Sequence, residues 1–213
     1  MKIAIIDYGM GNVRSVLRGV EKVGYAAKVT GRAEDILEAD KVIFPGVGAF
    51  GDGMKELRSR NLEDIIKEYV NTGRPLLAIC VAMQLLFDES EEHGRHKGLG
   101  LFHGKIIRIP ADKSGGLSRK IPHVGWNIVR PSPHSEWEGT IFDTFQESDS
   151  CYFVHSFMAE VEDKKDLLAE CDYEGISITA AVRRDNITGL QFHPEKSGVA
   201  GLNLLKQFLD CEK

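Results

Sequence analysis

The chain has 213 residues, of which 42% are hydrophobic and 28% are charged, and its formal net charge is -5 at pH 7. This length suits one α/β domain spanning residues 1–213. The acidic balance argues against nucleic acid as the main partner, because no basic excess is available to neutralise phosphates. We expect neither a membrane span nor a signal peptide, since no apolar run approaches the roughly 20 residues that cross a bilayer.

The cysteine pattern argues against a metal site or a disulfide framework. The four cysteines are widely spread and form no Cys-x-x-Cys pair: Cys80, Cys151, Cys171 and Cys211. Such spacing is typical of reduced thiols in a cytoplasmic protein. The segment Gly9-Met10-Gly11 is too short for a dinucleotide fingerprint. We therefore expect no metal and no cofactor.

The first 90 residues alternate predicted strands and helices. Asn12 is a suitable N-cap for a helix over 13–23, although a ligand-binding role for Asn12 stays open. Apolar runs predict strands at 3–7, 27–30, 41–44 and 76–79, and helical spacing predicts a turn at 35–37, a helix over 62–70 and a helix start at 83–87. This alternation predicts a largely parallel sheet with helices on both faces.

The second half predicts shorter strands separated by turns. Strand-sized runs lie near 105–109, 126–129, 151–155, 166–171, 178–183 and 187–192. Their spacing indicates an antiparallel extension of the sheet. We predict a loop at 112–116 and a closing helix built on Leu202, Leu205, Phe208 and Leu209.

The most informative stretch for chemistry surrounds Cys80. Four apolar residues precede this cysteine, an amphipathic run follows it, and the small residues Ala78 and Ala82 flank it. That pattern predicts a nucleophile elbow, in which a tight strand-to-helix turn exposes the side chain at the edge of the sheet. A following helix would favour the thiolate through its N-terminal dipole. The alternative is a buried, inert cysteine at a strand end.

A glycine-rich loop is predicted at the end of the neighbouring strand. Four glycines fall within nine residues of the segment 45–53. Such a loop can present free N–H groups to a phosphate or to a developing oxyanion, and a flexible turn is the simpler alternative. Ligands of parallel sheets bind at the carboxyl ends of strands. Gly46–Gly48 and Cys80 are both predicted at such ends, so we expect a site there.

A base for the cysteine is offered by His193 and Glu195, which follow the last predicted strand. In extended geometry, residues two apart point to the same side, so the carboxylate can orient the imidazole. A surface pair is the commoner meaning of His-x-Glu. Beside an elbow cysteine and a glycine-rich strand end, the pair predicts a Cys–His–Glu triad.

Several motifs together resemble the class I (triad) glutamine amidotransferases, and within them the glutaminase subunits of imidazole glycerol phosphate synthases. The motifs cover essentially the whole chain and comprise Asp7-Tyr8-Gly9-Met10-Gly11-Asn12, Pro45-Gly46-Val47-Gly48, Cys80 with Met83-Gln84, 87–92, 123–127, 152–156 and His193-Pro194-Glu195-Lys196. The resemblance implies a flavodoxin-like, three-layer fold with a mixed, mostly parallel sheet, helices on both faces and an antiparallel C-terminal extension.

The resemblance also implies an activity and assigns residues to it. Cys80 would attack the side-chain amide of glutamine, His193 would relay the proton and Glu195 would orient His193. The N–H groups that hold the oxyanion would be those of Val47, Gly48 and Val81. The positions that hold glutamine would be Gly46, Gln84, Glu92, His155, Ser156 and Phe157.

A partner is implied as well. Ammonia would pass to a (β/α)₈-barrel cyclase subunit that makes imidazole glycerol phosphate and aminoimidazole carboxamide ribotide in histidine biosynthesis. The positions that resemble the face meeting this barrel are Asn12, Trp126, Asn127 and Lys196. We expect low glutaminase activity from the chain alone.

One departure from the family pattern concerns the elbow, where the family has glycine at the positions of Ala78 and Ala82. Each added methyl group lies where backbones crowd, so we expect some strain and a weakened oxyanion site. The alternatives that remain are a paralogous glutaminase that feeds another amidation, a catalytically weakened structural partner of the cyclase, and an esterase or peptidase built on a similar elbow.

Overall fold

The computed structural model describes residues 1–112, 118–146 and 148–211 of the chain. The strands are β1 (Ile3–Ile6), β2 (Lys28–Thr30), β3 (Lys41–Gly46), β4 (Leu76–Cys80), β5 (Phe87–Ser90), β6 (His96–Lys97), β7 (Phe102–Arg108), β8 (His123–Ile128), β9 (Arg130–Pro131), β10 (Ser150–His155), β11 (Phe157–Val161), β12 (Leu167–Tyr173), β13 (Ile176–Arg184) and β14 (Ile187–Leu190). The α-helices are α1 (Val13–Lys22), α2 (Ala33–Leu37), α3 (Phe50–Ser59), α4 (Leu62–Asn71), α5 (Val81–Leu85) and α6 (Gly198–Asp210). Short 3₁₀ helices occupy Lys164–Asp166 and Pro194–Lys196.

The largest sheet has the order β2-β1-β3-β4-β14-β13-β12-β9. Its first five strands are parallel, and β13, β12 and β9 continue it in antiparallel pairing. Every residue of β1, β3, β4 and β14 is buried, as expected for strands covered on both faces. The predicted mixed, mostly parallel sheet with an antiparallel extension is therefore confirmed.

Helices cover both faces of this sheet. β2 and β3 flank β1 on opposite sides, so right-handed crossovers place α1 and α2 on opposite faces. α1 packs with α6, while α2 and α3 each pack with α4. The predicted N-cap is confirmed, because the Ser15 N–H donates to Asn12 Oδ1 at 3.3 Å. None of the helices in the described parts of the chain is long and apolar enough to cross a membrane.

The second half is not one continuous extension of the sheet, and that part of the prediction is wrong. Strands β11, β7, β5 and β6 form a separate four-stranded sheet, and β8 pairs with β10 as a two-stranded ribbon. The strands predicted near 105–109, 126–129 and 151–155 therefore exist but lie outside the main sheet. The predicted loop at 112–116 lies, except for Asp112, outside the described residues.

The segment 45–53 is a loop only in part, because α3 begins at Phe50 and includes two of its glycines. A Cβ on Gly51 would lie 2.8 Å from the His96 ring, and one on Gly53 would lie 3.1 Å from Leu85. These two glycines therefore permit close packing of α3. The helix predicted to start at 83–87 is α5, which begins earlier, at Val81, and gives way to β5.

Candidate active site

The elbow forms where β4 ends at Cys80 and α5 begins at Val81. Cys80 has φ 57° and ψ −116°, a left-handed backbone that costs a non-glycine residue roughly 1–3 kcal/mol. Strain of this kind persists where the surrounding structure enforces it, as at a nucleophile elbow. α5 has only five residues, so its dipole is short.

The glycine-rich loop lies beside the elbow, as predicted. β3 and β4 are parallel neighbours, and their register pairs Gly46 with Cys80. A Cβ on Gly46 would lie only 2.4 Å from the backbone nitrogen of Ala82. Only glycine allows this approach of the loop to the start of α5. Gly48 has φ +99°, which again favours glycine.

Ala82, at which the sequence predicted strain, is fully buried within α5. The positive φ of the elbow belongs to Cys80. The close approach to the loop is made possible by the absence of a side chain at Gly46. Ala78 lies in β4 between Phe44 of β3 and Gly189 of β14. The effect of the two alanines on the reaction rate stays a prediction.

The imidazole of His193 and the carboxylate of Glu195 form a buried hydrogen-bonded pair. Nδ1 of His193 lies 2.9 Å from Oε1 of Glu195, and their side chains are 3% and 1% exposed. Burial acts against the imidazolium, but hydrogen bonds to Cys80 and Glu195 raise the pKa of His193 to about 9. At neutral pH His193 therefore carries a positive charge beside Cys80.

The backbone conformation that brings Glu195 beside His193 differs from the prediction. Glu195 lies in a 3₁₀ helix at Pro194–Lys196 instead of an extended segment. Proline suits the first turn of a helix, where its missing N–H would be unpaired anyway. The turn is held in place because the Ser197 hydroxyl donates to the carbonyl of His193 at 2.6 Å.

A cavity of about 340 Å³ opens in front of Cys80 and His193. Of the predicted site residues it is lined by Val47, Gly48, Cys80, Val81, Gln84, Glu92, His155, Ser156, Phe157 and His193. Gly46 and Glu195 lie behind this lining. Pro122 and Val154 also line the cavity, although no motif in the sequence pointed to either of them. No group of three or more His, Cys, Asp or Glu side chains within the described residues is arranged to hold a metal ion.

Two of the residues predicted to bind glutamine already form hydrogen bonds within the protein. Nε2 of Gln84 donates to the Phe157 carbonyl at 3.1 Å and to Gln191 Oε1 at 2.9 Å. Oε1 is the acceptor atom of this amide, and no hydrogen bond to it is found within the described residues. Glu92 Oε2 accepts the Phe50 N–H at 2.7 Å. This bond ties the cavity wall to the start of α3, where a carboxylate is favourable.

The predicted residue His155 belongs to a buried histidine pair that the sequence did not reveal. Its Nδ1 lies 2.8 Å from the Phe157 carbonyl, and its Nε2 lies 3.0 Å from Nδ1 of His123. A carbonyl only accepts, so His155 is protonated on Nδ1 and its Nε2 accepts the N–H of His123. Burial lowers the pKa of both histidines to about 4, which keeps them neutral.

Tyr8 is a second residue that sequence reasoning did not assign to the site. Its side chain is fully buried against Phe44, and its hydroxyl has no hydrogen-bond partner among the described residues. That hydroxyl lies 2.8 Å from where a Cβ on Gly46 would be. Burial and the charge of Cys80 both raise the pKa of Tyr8. A neutral phenol therefore lies behind the glycine-rich loop.

The four predicted partner residues have different surroundings. Trp126 is 57% exposed on the outer face of β8, and Lys196 is exposed in the 3₁₀ turn after β14. Asn12 caps α1. Asn127 donates through Nδ2 to the Asp172 carbonyl at 2.7 Å, so it anchors β8 against β12.

Comparison with known proteins places the chain in a family. Residues 4–211 match the family model "Glutamine amidotransferase class-I". The chain is 48% identical over 212 residues to the imidazole glycerol phosphate synthase subunit HisH of Syntrophotalea carbinolica, with 98% of this chain and 99% of the relative covered. It is 46% identical to the HisH subunit of Bacillus subtilis over 206 residues, which cover 97% and 94% of the two chains.

Solved structures show the same fold at low sequence identity. A crystal structure described as a glutamine amidotransferase superposes with a TM-score of 0.72 at 17% identity, covering 99% of this chain and 98% of that one. The structure of PurLQS from Thermotoga maritima gives a TM-score of 0.72 at 19% identity, with 98% and 97% covered. The chain therefore belongs to the class I glutamine amidotransferase family, and within it to the HisH subunits of imidazole glycerol phosphate synthase.

Proposed function

We propose that the chain hydrolyses glutamine to glutamate and ammonia through Cys80, His193 and Glu195. The observation that carries this proposal is the buried His193–Glu195 hydrogen bond of 2.9 Å, next to a cysteine on a strained strand-to-helix turn. A cysteine nucleophile needs a base, and the base needs a group that orients it. All three roles are filled by residues at the carboxyl ends of the adjacent strands β4 and β14.

The first half of the reaction releases ammonia. The Cys80 thiolate attacks the side-chain amide carbon of glutamine, and the carbonyl electron pair moves onto oxygen. Backbone N–H groups of Val47, Gly48 and Val81 stabilise the oxyanion, and one such donor is typically worth roughly a hundred- to a thousand-fold in rate. His193 then gives its proton to the leaving nitrogen, the C–N bond breaks, and a γ-glutamyl thioester remains.

The second half regenerates the enzyme. His193, now neutral, takes a proton from water, and the hydroxide formed attacks the thioester carbon. Collapse of this second oxyanion breaks the C–S bond, frees glutamate and restores the thiolate. Glu195 keeps a proton on Nδ1 of His193 and stabilises the imidazolium, which is present before the first half and forms again in the second.

The side chains proposed to recognise glutamine are two that line the cavity, Gln84 and Glu92. Both amide hydrogens of Gln84 are committed within the protein, so its Oε1 is free to accept a hydrogen bond from glutamine. The Glu92 carboxylate supplies negative charge for the α-ammonium group. A cavity of about 340 Å³ with such groups suits a small polar amino acid better than the large acyl group of an esterase substrate.

The proposed partner is a (β/α)₈-barrel cyclase that uses the released ammonia to make imidazole glycerol phosphate and aminoimidazole carboxamide ribotide. The surface that supports this is the outer face of the β8–β10 ribbon, where Val124, Trp126 and Ile128 are exposed. Large exposed apolar side chains grouped on one face mark protein interaction sites. Lys196 and Asn12 are proposed for the rim of this interface. We also propose a cytoplasmic location, since the four cysteines are unpaired.

The experiment that tests the glutaminase proposal measures glutamate release from glutamine. It is run with and without the cyclase barrel and its nucleotide ligand, and Cys80→Ala is the control. We expect strong stimulation by the loaded barrel, low activity of the chain alone, and no release from the variant. If a stable complex forms and releases no glutamate, the chain is a structural partner of the cyclase.

The interface is tested separately by titrating Trp126→Ala with the barrel in a calorimeter. Buried aromatic anchors are typically worth about 2 kcal/mol or more, so we expect at least roughly a thirtyfold weaker complex. Lys2→Ala, at the opposite edge of the sheet, is the matched surface control. Unchanged affinity in Trp126→Ala would place the interface elsewhere.

A further inference from the structure

Gln191 is a buried polar residue next to the nucleophile to which the proposed mechanism gives no role. It directly follows β14, and the parallel register of β14 with β4 pairs Leu190 with Ile79. The next residue on each strand is therefore Gln191 on one side and Cys80 on the other. Gln191 is fully buried. Its backbone N–H donates to the Ala180 carbonyl at 2.9 Å, which fixes its position on β13.

Both ends of the Gln191 side chain have a partner. Oε1 accepts from Gln84 Nε2 at 2.9 Å, and Nε2 lies 3.9 Å from Sγ of Cys80. The second distance is long for a hydrogen bond, yet catalytic hydrogen bonds are often long before substrate binds. Gln191 thus lies between a cavity-lining amide and the reacting sulfur.

The Phe157 carbonyl sets the direction of the hydrogen bonds that run from Phe157 through Gln84 to Gln191. The Phe157 carbonyl can only accept, so Gln84 must turn its NH₂ group toward it. The same NH₂ group donates to Gln191 Oε1. Gln191 is therefore left with its own NH₂ group facing Sγ of Cys80, so it can act toward the sulfur only as a donor.

We infer that Gln191 stabilises the Cys80 thiolate by donating a hydrogen bond to Sγ, and that it couples the nucleophile to the glutamine-holding amide of Gln84. A donor aimed at sulfur favours the thiolate, because the thiolate is a far better acceptor than the thiol. A buried amide N–H without an acceptor is costly, so the arrangement is most favourable when the sulfur is charged. The inference rests on the proposed nucleophilic role of Cys80.

Other groups also act on this sulfur and must be separated from Gln191. The titratable side chains that face Cys80 or line its cavity are His193, Tyr8, Glu92 and His155, with Glu195 behind His193. None of them contacts Gln191 through a hydrogen bond in the described structure. A change at residue 191 therefore leaves their own bonds in place.

The test measures the rate at which iodoacetamide alkylates Cys80 as a function of pH, in the complex with the barrel and in the free chain. Gln191→Met keeps the size of the side chain and removes the donor. We expect the midpoint of the alkylation profile to rise by about one pH unit, with the rate at high pH unchanged. Gln191→Glu should raise the midpoint further, because a carboxylate repels the thiolate.

The matched control is Gln207→Met, which removes a hydrogen-bonded glutamine from α6 and should leave the midpoint unchanged. An unchanged midpoint in Gln191→Met overturns the inference even if turnover falls, since packing alone would then explain the loss. If the variants do not fold, the ¹⁵N-labelled side-chain amide of Gln191 in the unaltered protein still decides. Its resonance should shift across the alkylation midpoint of Cys80, and a resonance insensitive to that pH range would contradict the inference.

This readout is independent of glutamine hydrolysis. Alkylation reports the thiolate whether or not the protein turns over glutamine, so failure of the Gln191 inference is distinguishable from failure of the proposed activity. If Cys80→Ala still released glutamate, the triad proposal would fail while the alkylation profile of the unaltered chain remained interpretable.

Discussion

Replacing Glu195 with glutamine isolates the charge of the proposed triad from its geometry. The amide oxygen of Glu195→Gln can still accept the Nδ1–H of His193, so the imidazole keeps its orientation. The negative charge is lost. At 2.9 Å and an effective dielectric constant of about 20, opposite unit charges attract by roughly 6 kcal/mol, which sets an upper limit.

The measurable effect is smaller than this limit, because the amide dipole replaces part of the attraction. We expect kcat for partner-stimulated glutamine hydrolysis to fall roughly a hundred- to several thousand-fold, with KM little changed. A loss in kcat alone is expected, because Glu195 does not line the cavity and so does not contact the bound substrate.

The assay measures kcat and KM in the complex saturated with barrel and nucleotide ligand, and a melting curve confirms folding. Glu162→Gln, an exposed glutamate beyond β11, is the matched control. A kcat within about threefold of the unaltered enzyme would refute the reasoning, since a buried carboxylate at this distance cannot then be stabilising the imidazolium. A loss confined to KM would place Glu195 in binding instead.

Three further predictions concern the elbow, a buried lysine and the proton on His193. Ala82→Gly should change partner-stimulated hydrolysis less than about threefold and lower the melting temperature, because glycine costs about 1 kcal/mol in a helix and the positive φ of the elbow belongs to Cys80. Lys41→Met should destabilise the fold by roughly 2–3 kcal/mol in urea unfolding, since the buried ammonium donates to the Phe208, Leu209 and Cys211 carbonyls at the end of α6. Protonated His193 should stabilise the fold fully below pH 6.5 and lose this contribution as pH rises through about 9, because its folded pKa lies above its ordinary value. Imidazole titration by NMR checks that value, and in Cys80→Ala it should fall.

The elbow could be predicted from the sequence because its evidence is local. A run of buried apolar residues ended at Cys80, and the structure places the strand end at that residue. The placement of Gly46 and Cys80 at one edge of the sheet followed from the general rule that parallel strands end at one edge, and the structure adds that the two residues pair. The N-cap at Asn12 was likewise read from one residue and its neighbours.

The glycines of 45–53 show why the local sequence pattern did not predict every element correctly. Gly51 and Gly53 looked like loop residues, yet they lie in α3 where neighbouring side chains leave no room for a Cβ. The need for glycine there comes from His96 and Leu85, which are far away in the sequence. The same limit applies to Gln191, whose partners Gln84 and Cys80 lie more than a hundred residues earlier.

The two smaller sheets were not predicted for the same reason. The strands near 105–109 and 151–155 were recognised, but their partners depend on contacts that no local alternation specifies. β7 pairs with β5 in parallel and with β11 in antiparallel orientation, and β10 pairs with β8. Strand existence is a local property, whereas strand pairing is set by how the whole chain packs.

The β8–β10 ribbon connects the proposed partner surface to the proposed triad through two backbone hydrogen bonds of Tyr152. On its outer face, Trp126 of β8 lies opposite Tyr152 of β10, with ring centroids 6.2 Å apart. The same Tyr152 accepts the His193 N–H at 3.0 Å through its carbonyl and donates its own N–H to Ser197 Oγ at 2.9 Å. A partner that packs on Trp126 therefore presses on the strand that holds the backbone of the proposed base. These contacts support the proposed sensitivity of glutamine hydrolysis to the partner. A small shift of β10 would change where His193 lies relative to Cys80, and misplacement of about 1 Å can cost on the order of a hundredfold in rate.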